Sequence, residues 1–198
     1  MPTSFTYTPI SAATAASTSR FVASTNMANG TYTLANTTPA NPGGVNIVAT
    51  ITGATGNDTP GTITVVGTGL NGSSLTEVIT LTAGGTATGA QVFKTVTSIT
   101  QAGWAIVGGN DTIIIGHGAG SIVVGSSGTL HGVAVNGTAA ATVVIADTRG
   151  TIATLASSIA NGFYPYDLDF AGFLKVTTTS TNDITVVHTG TLPPSYAT

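Results

Sequence analysis

From Gly44 onward the apolar residues come in short strings, and Gly, Asn, Asp or Pro interrupts the chain before a string settles into a helical period. "VNIVATITG" (45–53) runs into the turn "ATGNDTPG". "TITVVGTG" (62–69), "LTEVITLTA" (75–83), "AQVFKTVTSIT" (90–100), "WAIVGG" (104–109) and "TIIIGHG" (112–118) follow. Val, Ile and Thr dominate these strings. Their branched Cβ is crowded in a helix and packs well on a pleated surface. After the glycine-rich "GHGAGSIVVGSSG" (116–128) a second group begins: "TLHGVAVNG", "ATVVIADTRG", "TIATL", "FYPYDLDF", "GFLKVTTTS" and "DITVVHTG". Such spacing predicts an all-β chain. The expected organisation is two small antiparallel β-sandwich domains, Ig-like or jelly-roll-like, over 27–118 and 119–192. An extended N-terminal arm at 1–26 precedes them, and a tail at 193–198 follows.

Alternation within the second group sets strand faces. In "PYDLDF" it places Tyr166, Leu168 and Phe170 in the core and Asp167 and Asp169 outside. In "DITVVH", Ile184, Val186 and His188 oppose Thr185 and Val187. "TIATLASSIANG" also fits a helical face through Ile152, Leu155, Ala156 and Ile159, so 151–161 is open between strand and short helix. Residues 1–26 have no sustained period and should be disordered unless something holds them.

Charged residues are 6% of the chain, against about 25% in ordinary soluble domains. Hydrophobic residues are 41%, so the chain can bury a core. So few charges suit a protein whose surface is covered by partners. The basic residues Arg20, Lys94, Arg149 and Lys175 are scattered and the net charge is −3, which argues against nucleic-acid binding. There is no cysteine, hence no disulfide or thiolate site. No apolar run approaches bilayer-spanning length and the N-terminus lacks a secretory pattern, so no membrane association is expected. Sequons at Asn29, Asn36, Asn57, Asn71, Asn110 and Asn136 read as turn residues in a Thr-rich chain.

No motif carries chemistry. "GTGLNG" matches the spacing of a dinucleotide-binding loop, but "SSLTEVITL" after it reads as strand where that loop needs a helix, so it is a hairpin turn. Asp167 and Asp169 could hold a metal, but they read better as charges guarding a strand edge. His117, His131 and His188 share no ligand spacing, although a trimer axis could gather one of them threefold. Glu77 is in phase with Leu75, Ile79 and Leu81, so it needs a bulge, an edge or a partner, with Lys94 the natural choice. Trp104, Tyr164 and Tyr166 are the one aromatic set that could line a glycan groove. No catalytic, metal or cofactor site is expected.

The phrase "GTITVVGTGLNGSSLTEVITLTAGGTATGAQVFKTVTSIT" (61–100) resembles sequences of tailed-bacteriophage structural proteins. "GTLHGVAVNG", "TVVIADTRGTIATL", "YDLDFAGFLKVTT" and "DITVVHTG" are similar to a β-sandwich module of phage head and tail proteins. The resemblance covers about residues 61–190 and includes no catalytic residue. It implies a non-enzymatic virion protein, made in the host cytoplasm and carried on the capsid as a decoration (cement) protein. The alternatives are a tail tube, tip or fibre component, or a virion-displayed module that binds glycan or host surface. The implied partners are copies of itself, as a homotrimer, and the major capsid protein or other virion proteins. The arm would reach a neighbour through Phe5, Tyr7, Ile10, Arg20 and Phe21.

Overall fold

The computed structural model describes residues 5–10, 16–28, 30–39, 44–53, 58–105, 111–137, 142–178 and 183–190. The tail at 193–198 lies outside them, as do Asn29, Asn57 and Asn110. All described secondary structure is β, and every strand pair is antiparallel. Residues 151–161 resolve as strand to Leu155 and then a turn at 157–158.

The chain forms two compact units, and the N-terminal segment is shared between them. Strand β1 (Thr6–Ile10) belongs with residues 119–190. Strand β2 (Ser17–Asn26) belongs with residues up to 118. The segment expected to be an arm is therefore two sheet strands, each satisfied by its own chain. The physical reason is edge closure: each supplies a partner to a strand that would otherwise leave a row of backbone N–H and C=O groups unpaired.

The unit of residues 16–118 continues with β3 (Ile47–Thr52), β4 (Thr62–Thr68), β5 (Ser74–Thr80), β6 (Thr86–Thr88), β7 (Thr95–Ala102) and β8 (Thr112–His117). Its sheets run β2-β8-β3-β6 and β5-β4-β7. Alternation is clean in β3 and β4, where every second residue is buried. Phe21, Ile47, Ile63, Ile99 and Ile113, drawn from both sheets, meet in one core with Phe93, which is bridged to Val45. Each contributes about 1.5–3 kcal/mol by leaving water. "GTGLNG" is the β4–β5 hairpin turn: Gly72 has φ 83°, its N–H donates to the Gly69 carbonyl, and the Asn71 carboxamide accepts from the Ser73 N–H. Gly116 has a steric role, since a Cβ there would lie 1.8 Å from the Ser17 carbonyl oxygen where β2 crosses β8.

The other unit comprises β1, β9 (Ser121–Val124), β10 (Gly128–Val135), β11 (Val143–Asp147), β12 (Gly150–Leu155), β13 (Gly162–Phe170), β14 (Leu174–Thr178) and β15 (Ile184–Gly190). Its sheets run β1-β15-β10-β13 and β12-β11-β14-β9. Counted within the unit, the order is 1-8-3-6 against 5-4-7-2, that of an eight-stranded jelly roll. The unit of residues 16–118 has the same order, with a bridged segment rather than a strand in second place: Thr31 pairs with Thr100 of β7, and Tyr32 N–H donates to the Ile99 carbonyl. One sandwich is thus inserted between the first and second strands of another of the same topology. Leu130, Val133, Ile145, Leu174, Val176 and Ile184 lie in the outer sandwich's core.

Edge strand β13 departs from expectation at one point. Tyr164 and Tyr166 pack against the core and Phe170 is buried, but Leu168 is 39% exposed. Asp167 has φ 49°, and the β10–β13 register shifts between Leu130 and Gly132. The bulge ends the alternation after Tyr166. Leu130→Ala should therefore cost about 2–5 kcal/mol through the cavity it leaves. Leu168→Ala should cost about 1 kcal/mol or less, because much of the side chain is already in water. Urea unfolding of the two variants measures the difference.

Candidate functional site

The densest group of chemistry-bearing side chains lies at one end of the β1-β15-β10-β13 sheet. The register sets Thr6, His188, Leu130 and Leu168 side by side across four strands. His131, next on β10, donates Nδ1–H to Asp167 Oδ1 at 2.8 Å. The acceptor is a carboxylate, so the proton sits on Nδ1 and the other nitrogen of a neutral ring is a bare acceptor. That atom, Nε2, is buried and without a partner. The edge of the Phe5 ring meets His131 with centroids 4.7 Å apart. His188 is 3% exposed, and its Nε2 lies 3.0 Å from Thr8 Oγ1. Its Nδ1 is buried and unpartnered. Burial pushes the His188 imidazole below its ordinary value, and His131 pushes the same way.

This group holds the parts of a hydrolytic triad, divided over two rings. A triad needs one imidazole with a carboxylate on one nitrogen and a hydroxyl on the other. His131 has the carboxylate and no hydroxyl. His188 has the hydroxyl and no carboxylate. The arrangement positions strands, and as it stands it cannot pass a proton from Thr8 to Asp167. Among the described residues no three His, Asp or Glu side chains gather as a metal site.

His117, at the end of β8, is the counterpart of His188. It is 1% exposed, its Nδ1 is 2.9 Å from the Gly118 carbonyl, and the Phe21 ring lies edge-on at 6.0 Å. Burial lowers its pKa, the Gly118 bond works the other way, and Arg20 lowers it further. Of the expected assembly contacts, Ile10 and Phe21 are buried in the cores of their own units, with no surface left for a neighbour. Arg20 donates to the carbonyls of Thr38 and Pro39. Phe5 and Tyr7 are 47% and 65% exposed. Trp104, Tyr164 and Tyr166 are each half-buried against the core of their own unit. Phe163, 54% exposed, is the exposed aromatic the sequence reading passed over. The alternation that turns Tyr164 and Tyr166 inward already put it on the opposite face. It lies over Gly132, where a Cβ would come 2.4 Å from the ring.

The remaining ionisable groups hold turns and edges. Glu77, on edge strand β5, accepts from the N–H groups of Ala90 and Gln91 at 2.6 and 3.1 Å, so backbone takes the place expected of Lys94. Asp169 accepts from the Thr129 hydroxyl at 2.9 Å. Asp147, 4% exposed, accepts from Arg149 N–H at 2.7 Å, Arg149 Nε–H at 2.8 Å and Ala171 N–H at 2.9 Å. Burial would raise the Asp147 carboxyl, but Arg149 and these N–H groups outweigh it and hold it below the usual carboxylate range. Asp111 is fully buried and neither of its oxygens meets a donor. The group that reaches it is a second buried carboxyl, Asp58, which cannot donate when ionised. Burial first, then the charge and hydrogen bond of Asp58, push the Asp111 carboxyl up. In the same unit a groove of about 320 Å³, lined by residues 22–25 with Thr31, Thr33 and Ala35, has no ionisable side chain. No helix among the described residues is long and apolar enough to cross a membrane. No family model, characterised protein or solved structure matches the chain.

Two of these carboxyls should respond oppositely to replacement. Asp147→Ala strands the N–H groups of Arg149 and Ala171 and should cost about 1–3 kcal/mol. Arg149→Ala should cost about 0–1 kcal/mol, because the guanidinium is largely in water. Chemical denaturation of both variants checks the order. Asp111 has a raised folded pKa, so the folded state keeps a proton the unfolded chain releases. The stability this gives is complete below the ordinary carboxyl value of 3.8 and is lost as pH rises through the folded value. Asp111→Asn should flatten that loss and raise Tm at mildly alkaline pH, as followed by thermal melts across pH.

Proposed function

We propose that the chain is a non-enzymatic structural protein of a tailed-bacteriophage virion, a decoration or cement protein that stabilises the head. One observation carries the reading: most of the charged side chains traced among the described residues are spent on the fold. Asp147 and Arg149 close a turn, Glu77 caps two backbone N–H groups, Arg20 staples a loop, and Asp167 holds His131. An enzyme needs at least one such group aimed at a substrate, with its pKa set for the task. Jelly-roll sandwiches recur in viral capsid proteins, but a fold alone does not set a function. The phage-like phrases in 61–190 supply the narrower link.

In this reading the protein is a homotrimer docked on the major capsid protein. Among the described residues, Phe5, Tyr7 and Phe163 are the exposed rings available for apolar contact. The same three rings are the observation that favours the alternative, a module that binds glycan on the host surface. A tail tube, tip or fibre role would use the same architecture.

Antibody against the chain, tagged with gold and applied to intact virions that carry it, should mark the head in a regular pattern. Light scattering of the purified protein should give three times the chain mass. Label confined to the tail would move the role there. A monomer that marks no particle would overturn the virion reading, and saturable binding on a glycan array would favour the host-surface alternative.

A further inference from the structure

β1 is the most lightly attached of the two N-terminal strands. It is five residues long and pairs on one side only, with β15. Ile10, 6% exposed, is its one core side chain. Two further contacts both end on histidines: Thr8 on His188 at 3.0 Å, and the Phe5 ring on His131. β2 holds the same place in the inserted sandwich, yet it is ten residues long and buries both Phe21 and Val22. We propose that His188, with His131 beside it, is an acid-sensitive latch on the N-terminal strand: protonating His188 releases residues 5–10 from β15 and leaves both sandwiches folded.

The geometry makes the added proton costly. A protonated ring has N–H groups at both nitrogens. Nε2–H can donate to Thr8, but Nδ1–H is buried without an acceptor. A buried charge with an unmet donor is expensive, and the nearest relief is water. Thr6, opposite His188 in register, and Thr8, bonded to it, are what β1 lays against the ring, so moving β1 lets water in. The surrounding groups offer no compensation. His131 on β10 adds repulsion. On β13, Asp167 is engaged by His131 and Asp169 by Thr129. In the facing sheet, Asp147 on β11 is held by Arg149. Tyr7, Tyr164, Tyr166, Asp183 and Lys175 complete the titratable groups of the neighbouring strands and turns, and no hydrogen bond joins any of them to His188.

The sign follows from the lowered folded pKa of His188. The folded state binds fewer protons, so this stability is present above the ordinary value of 6.5 and is lost as pH falls from there to the folded value. His117 titrates in the same direction, but β2 keeps its buried anchors.

Hydrogen exchange on the full chain, corrected for intrinsic rate, reads the latch directly. From about pH 8 down to 6.5 the protection of the amides of residues 6–8 and 10 should hold, and below 6.5, toward the folded value, it should fall about tenfold per pH unit. Protection in β2, β10 and β13 should hold. His188→Gln keeps a bond to Thr8 without titrating, and its β1 profile should be flat. Should that variant not fold, His131→Gln relieves the repulsion and should shrink the acid loss. If β1 exchanges in step with β10 and β13 at every pH, or if His188→Gln leaves the profile unchanged, the proposal is overturned.

Discussion

The pairing of an N-terminal strand with a unit's last strand closes one edge of each sandwich. Without β1, β15 would be an edge with its backbone groups open. Without β2, the same would hold for β8. The outer pairing is remote, with Thr8 and His188 separated by 180 residues. Closing a loop of that length in an unstructured chain costs only about 2–3 kcal/mol more than closing one of about ten residues. Folding of the inserted unit first shortens the loop further. A five-residue strand can therefore hold its place with one buried side chain, but with little to spare.

That economy extends to charge. The chain carries seven carboxylates and four basic side chains, and the bonds traced above commit most of them to turns, edges and caps. Thr, Asn and Gly do the rest. Thr50 with Thr86 and Thr68 with Thr95 are cross-strand hydroxyl pairs at 3.1 and 2.7 Å, and Asn136 ties Asp183 to Thr185. Such bonds hold strands together without long-range repulsion, so the surface is left nearly neutral. This is consistent with a protein that works by packing, which is the substance of the proposed role.

The strands were legible wherever alternation runs unbroken within one string. "TITVV" buries Ile63 and Val65 as its period demands, whereas in "DITVVH" Ile184, Val186 and His188 are buried but Val187, expected on the opposite face, is buried with them. The N-terminal strands were not, for two reasons. β2 is irregular: its pairing with β8 shifts twice, and adjacent Phe21 and Val22 are both buried, so no period of two survives. β1 is too short to show a period, and its partner lies at the far end of the chain. Leu168 was misplaced because a bulge has no local signature beyond Asp167 itself. The histidine cluster was hidden because only the β10–β15 register brings His131 and His188 together, and sequence spacing says nothing of register. Phe163 was readable by parity.

The nested topology has a consequence for synthesis. Residues 6–10 leave the ribosome long before their partner strand, which lies more than 170 residues further along the chain. At about 5–20 residues per second, the gap is roughly ten to forty seconds. During that interval the inserted sandwich can complete itself with β2 while β1 waits unpaired at its front. Translation thus gives the inner unit time to finish before the outer one can be closed.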